Sequence, residues 1–134
     1  MERRITDRPE EIDIAFVHTF LTRTYWAQGR SLEDVARCVE HSLNFGLFLG
    51  DEPIGYARVV TDRTVYGYLM DVFISERHRG QGHGLFLMEH VLAHPDIARL
   101  RILRLATRDA HGLYTKLGFV PTETGNMMER KHVG

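Results

Sequence analysis

The six residues Arg79-Gly80-Gln81-Gly82-His83-Gly84 have the spacing most suggestive of chemistry in this chain. Three glycines at alternate positions let the backbone curl and turn several N–H groups into one concavity. Leu85, Phe86, Leu87, Met88, Val91 and Leu92 follow at once and read as a helix. Its N-terminal partial positive charge would add to the loop, so that the two together could cradle a pyrophosphate. Arg77 and Arg79 bring further positive charge. Two familiar phosphate motifs fail. G-x-G-x-x-G begun at Gly80 would need glycine where Leu85 stands, and no Gly-Lys-Ser or Gly-Lys-Thr triplet occurs. A glycine-rich turn without a ligand is the plain alternative.

Other side chains of interest are scattered. Asp71 is the only carboxylate inside a long apolar run, Val65 to Ile74, and a carboxylate there is costly unless hydrogen-bonded or functional. Trp26, the only tryptophan, sits in the polar segment Arg23 to Arg30 beside Tyr25. An aromatic there can pack an amine's apolar part, sit over a cation, or plug the space under a loop. Arg30 reads as solvent-facing, with contact to an acidic ligand as the alternative. Among eight histidines, His90 and His94 stand four apart, but Val91 follows His90 and no third ligand is apparent. No metal is expected. Cys38, the lone cysteine, excludes an intrachain disulfide and reads as a small buried thiol.

The 134 residues suit one domain, 1–134, with 43% hydrophobic and 26% charged residues. No apolar run exceeds four residues, which gives no membrane-spanning helix, and Met1-Glu2-Arg3-Arg4 lacks an apolar run behind it. A cytoplasmic protein is the expectation. Seventeen basic against eighteen acidic residues argues against a general nucleic-acid binder.

The spacing predicts a helix over Glu11 to about Thr22 and a second after Ser31 as N-cap, with a stripe of Leu32, Val35, Ala36, Val39 and Leu43. Three strands follow, from Phe45, over Ile54 to Val60 and over Val65 to Ile74. Their connections are short enough only for an antiparallel meander. The helix after the glycine loop should end near His94, ahead of Pro95. Ile102 to Ala106 reads as a strand, parallel to Val65–Ile74 through the crossover. Ala110 to Leu117 reads as a short helix ended by Gly118. Phe119-Val120 and Met127 to Arg130 read as final strands. The expected class is α+β, a three-layer α/β arrangement. Its sheet is mixed, mostly antiparallel, with one central parallel pair and helices on both faces.

The R-x-x-G-x-G spacing after the strand ending Val72-Phe73-Ile74 resembles the acetyl-coenzyme A loop of the GCN5-related N-acetyltransferase (GNAT) superfamily. Ala110-His111-Gly112-Leu113-Tyr114-Thr115-Lys116-Leu117-Gly118-Phe119 is similar to that superfamily's A-x-x-L-Y-x-x-x-G-F segment. The resemblance implies a GNAT fold, splayed at its parallel pair, and direct acetyl transfer to an amine, with a small-molecule acceptor favoured. It implies acetyl-CoA as cosubstrate. The pyrophosphate would lie on backbone amides of Gly80, Gln81, Gly82, His83, Gly84 and Leu85, with Arg79 nearby, and the pantetheine arm along Val72, Phe73 and Ile74. Tyr114 maps onto the tyrosine near the coenzyme sulfur. Thr107 stands where many relatives have asparagine, and is carried over as a cofactor contact. Met70 stands where some relatives keep a glutamate base.

Asp71 is then the candidate base, directly or through a water, although strand alternation points it to the opposite face unless a bulge reverses it. A hydrogen-bonded structural carboxylate is the other reading. His111 is the alternative base or an acceptor contact, and Tyr25, Trp26 and Arg30 would wall the acceptor pocket. Pairing of two copies through C-terminal strands, as in many relatives, stays open. The competing function is a non-catalytic acyl-CoA-binding or regulatory module on the same fold.

Overall fold

The computed structural model describes residues 2–122 and 125–132. Five strands form one sheet in chain order: β1 (Arg3–Thr6), β2 (Leu43–Leu49), β3 (Glu52–Thr61), β4 (Tyr66–Ile74) and β5 (Ile102–Arg104). Neighbours are antiparallel up to β4, and β4 and β5 run parallel. The helices are α1 (Ile14–Leu21), α2 (Leu32–His41), α3 (His83–Ala93), α4 (Pro95–Ala98) and α5 (His111–Lys116). The mixed sheet and its single parallel pair are as expected, but the pair stands at the sheet's edge and not at its centre, because no described strand lies beyond β5.

Two apolar cores lie against the sheet. One joins Leu87, Met88 and Val91 of α3 to Leu47, Ile54, Val59 and Leu69. The other joins Val17, Phe20 and Leu21 of α1 and Val35 and Val39 of α2 to Tyr56 and Phe73. Phe73 stacks on Phe20 with ring centroids 3.9 Å apart. Ser31 caps α2 as its sequence position suggests, accepting the Asp34 N–H at 3.0 Å. The first helix is shorter than expected, because Asp13 caps it and Pro9–Glu11 form a separate 3-10 turn. Pro95 closes α3 and opens α4, where a missing N–H costs nothing.

Three expectations need correction. Arg3–Thr6 pairs with β2 as an edge strand, although four residues with two arginines carry too little alternation to show it. Phe119-Val120 and Met127 to Arg130 form no strands: Val120, Met127 and Met128 are exposed, Met128 at 96%. A strand needs a ladder partner, and those segments have none among the described residues. The strand expected over Ile102 to Ala106 stops at Arg104, opposite Tyr68. Beyond that rung β4 and the chain after β5 part company.

A bulge in β4 follows directly. Tyr56 pairs with Phe73 and Arg58 with Met70, so Ala57 alone faces both Asp71 and Val72. Asp71 takes φ +55°, a left-handed conformation that Asp and Asn tolerate better than most residues. Met70 and Asp71 consequently both reach the Arg58 side chain. The reversal of strand alternation at Asp71 is therefore real.

Candidate active site

The separation of β4 from the chain after β5 opens a cleft of about 410 Å³, within the range of small-molecule sites. Leu69–Val72 line one side and Leu105–Ala110 the other, with Tyr25, Trp26, Tyr68 and Tyr114 around them. Because β5 ends opposite Tyr68, Leu69 to Ile74 has no strand on that edge among the described residues. Val72 lines the cleft. Phe73 buries its ring against α1, and Ile74 packs against the α3-side core. What these three leave toward the cleft is a length of strand edge.

Past Ile74 the chain makes one 3-10 turn and enters the glycine loop. Gly80 and Gly82 take φ +77° and +82°, and a Cβ on either would meet nothing within 4 Å. Glycine is needed there for the backbone turn, and the space it leaves stays open. Gly82 is the N-cap of α3, with no side-chain cap. The N–H groups of His83, Gly84 and Leu85 in the first turn lack intrahelical acceptors. Gln81 lies between the two left-handed glycines, so Gly80 to Leu85 form the continuous run the sequence suggested. Arg79 donates from Nε to the Ile74 carbonyl at 3.2 Å, and Arg77 is held by Glu52 at 2.6 Å. The His83 ring turns inward, and neither nitrogen has a partner among the described residues. Burial, aided by the nearby charges of Arg3 and His78, holds its pKa below the usual imidazole value.

Tyr114 sits in α5 with its ring buried edge-on to Phe119 and its side chain at the cleft. Burial, with the Asp109 carboxylate adding to it, pushes its pKa up to about 12. It is a phenol carrying its proton at neutral pH. Thr107 also lines the cleft, but its Oγ1 accepts the Ala110 N–H at 3.0 Å and so organises the turn into α5. His111 is exposed and is not among the residues lining the cleft.

Two of the residues expected to wall an acceptor pocket, Trp26 and Arg30, meet at Asp71. Its Oδ2 accepts from Arg30 Nη1 at 2.7 Å and Arg58 Nε at 2.8 Å, and its Oδ1 from the Trp26 indole N–H at 3.1 Å. The side chain is 1% exposed. Arg30 therefore does not face solvent, as its loop position suggested. It turns inward because a buried carboxylate needs charged partners. Trp26 is neither a plug nor a free wall: the residue is 40% exposed while its indole N–H is tied down. Tyr25 lies edge-on to Trp26, and the Arg108 guanidinium stands 3.6 Å from the Tyr25 ring centroid. A direct base role for Asp71 conflicts with this geometry, since a base needs an oxygen within reach of the proton it takes.

Sequence reading missed Arg58, Tyr68 and Arg108. Arg58 had a signal. It is the lone charge inside the apolar strand Ile54 to Val60, in the strand next to the one that carries the lone Asp71. Two lone opposite charges in neighbouring apolar strands point to a buried pair. His90 and His94 turn to separate partners, the Phe86 carbonyl and Asp7, and among the described residues no three His, Cys, Asp or Glu are grouped to hold a metal.

This architecture has known counterparts. The acetyltransferase (GNAT) family model matches residues 8–119, and the chain belongs to that family of acyltransferases. A GNAT-family acetyltransferase structure from Xanthomonas campestris pv. campestris is 38% identical, with a TM-score of 0.92, over 99% of this chain and 94% of that one. A protein of Gibberella zeae assigned as an acetyltransferase is 33% identical over 69 residues, which is 48% of this chain and only 37% of that protein's length. A Clostridium acetobutylicum acetyltransferase structure described with acetyl-CoA shares the fold, with a TM-score of 0.68 and 14% identity over 97% and 95% of the two chains.

Proposed function

We propose that this chain transfers the acetyl group of acetyl-CoA directly to a primary amine of a small molecule. The observation that carries the reading is the parallel β4–β5 pair that separates after three rungs, beside a glycine loop at a helix N-terminus and a protonated Tyr114. The N–H groups of Gly80 to Leu85 suit a pyrophosphate. The edge at Val72, Phe73 and Ile74, which no strand covers among the described residues although the Ile74 carbonyl accepts from Arg79, suits a pantetheine arm laid down like a strand. A backbone N–H near Val72 or Phe73 would polarise the thioester carbonyl.

In this scheme a neutral amine attacks the thioester carbon. The tetrahedral intermediate collapses with loss of the C–S bond, and the Tyr114 hydroxyl gives its proton to the departing thiolate. The amine's own proton passes to water in the open cleft and is returned through that water to the Tyr114 oxygen, since Asp71 already accepts three bonds and His111 lies outside. The residues that would hold acetyl-CoA fit it on one further count: the space over Gly80 and Gly82 is open to a ligand.

A non-catalytic acyl-CoA-binding role draws support from Met70, where a base would be useful. Incubation with acetyl-CoA and a panel of amines separates the two. Coenzyme A release that depends on the amine supports transfer. Tight acetyl-CoA binding without release across the panel supports the binding module.

Among the described residues no helix is long and apolar enough to cross a membrane.

A further inference from the structure

We propose that Asp71 is a positioning residue for the acceptor. Acting through Trp26 and Arg30, it fastens the loop between α1 and α2 as the outer wall of the cleft. The inference rests on the reading of that cleft as the acceptor site.

The chemistry of the joint is specific. Trp26 and Arg30 come from a loop of ten residues, 22–31, and reach across 45 and 41 positions of chain to one carboxylate. Arg58 anchors that carboxylate from beneath and is itself fixed by the Ser42 hydroxyl at 3.0 Å and the Met70 sulfur at 3.5 Å. The arrangement runs from sheet to carboxylate to loop. The bulge serves it directly: without the left-handed Asp71, strand alternation would send the carboxylate to the α3 side, out of reach of the loop.

The consequence falls on the Trp26 ring. An indole has one donor, and here that donor is committed to Asp71. The indole is therefore tied to Asp71 at its nitrogen while Trp26 remains part of the cleft lining. A wall that is ordered before the acceptor arrives avoids the cost of ordering it on binding, so a fixed aromatic holds an acceptor more tightly than a free loop. A base assignment is not needed to explain why a carboxylate occupies this position.

The test uses Asp71→Asn and Trp26→Phe. Asparagine keeps the shape and tolerates the same backbone conformation, but it weakens the bonds to both arginines and the indole. Because Trp26 is the only tryptophan, its fluorescence reports the joint without any substrate. Asp71→Asn is expected to shift its emission to the red and raise acrylamide quenching by about twofold, with acetyl-CoA affinity unchanged within twofold. With an amine the wild type accepts, the acceptor KM should rise by about tenfold and kcat fall by less than threefold. The acidic limb of the pH–rate profile should stay parallel to wild type. Trp26→Phe keeps an aromatic ring, removes the donor and leaves the core intact, and it should raise the same KM. The double variant should be little worse than Asp71→Asn alone, as expected for residues acting through one contact.

Unchanged emission and quenching in Asp71→Asn would overturn the proposal, as would an acidic limb lost in that variant. If Asp71→Asn does not fold, Trp26→Phe decides: an unchanged acceptor KM overturns the positioning role. A wild type that releases coenzyme A with no amine overturns the transfer reading, while the quenching comparison still judges the joint.

Discussion

The two halves of the candidate site are built by different means. The half formed by Gly80 to Leu85 is made of backbone: two left-handed glycines, a helix N-cap without a side-chain partner, and the first turn of α3. Everything it needs is contiguous in sequence. The half formed around Asp71 is made of side chains from three places, the α1–α2 loop, β3 and β4, joined over separations of 13, 41 and 45 residues. In the proposed reading the first half would offer the same donors to any ligand with a pyrophosphate. The second depends on long-range packing, and it is where a relative with the same fold can differ in what it accepts.

The largest test of this contrast is Arg58→Met. It leaves a buried carboxylate with one guanidinium fewer, and breaking such a pair costs about 3–5 kcal/mol. Arg30 still pairs with Asp71, so the loss in urea unfolding should sit near 3 kcal/mol. Arg79→Ala, at an exposed bond beside the glycine loop, should stay within about 0.5 kcal/mol. Equal losses in the two variants would erase the distinction.

Tyr114→Phe comes next and asks whether the phenol does chemistry. The ring and its packing on Phe119 remain. Loss of the proton donor should reduce kcat by roughly a hundredfold, the low end for general acid catalysis, with acetyl-CoA affinity little changed. Because burial holds the wild-type pKa at about 12, Tyr114 should not titrate anywhere near neutral pH. An alkaline fall in single-turnover rate centred near pH 8 would assign that limb to another group.

Gly82→Val probes the backbone half. A Cβ there meets no protein atom within 4 Å, so any loss comes from the strained φ and from the ligand's side. Titration calorimetry should show acetyl-CoA binding weakened by about tenfold or more, roughly 1.4 kcal/mol. The acceptor-side Trp26 emission should be unaffected. Undiminished affinity would remove the glycine loop from the cofactor site.

The smallest effect concerns His83. Its folded pKa lies below the unfolded value because burial disfavours the imidazolium, and the Arg3 and His78 charges add to that. The unfolded chain therefore binds more protons around pH 6.5, and stability rises with pH there. The contribution is complete above the unfolded pKa and is lost as pH falls through 6.5 toward the lower folded value. His83→Asn should flatten that slope in denaturant titrations between pH 5 and about 7. An unaltered slope would assign the acid sensitivity to another group.

The sequence alone determined the parts whose physics is local. Ser31 caps α2, the short connections make β2, β3 and β4 a meander, the crossover makes β5 parallel, and glycines at 80 and 82 supply the left-handed turns. Each depends on residues close in the chain, so spacing and type suffice. Tertiary structure decided the rest. Whether Asp71 lies on the α3 face or the α1 face turns on one extra residue opposite Ala57. Arg30 turns inward because that residue's carboxylate waits there. The final strands expected after Leu117 do not form, for want of a ladder partner among the described residues. A period of two predicts where a strand's side chains point only while the register holds. A buried charge selects partners by distance in space, with no regard to distance along the chain.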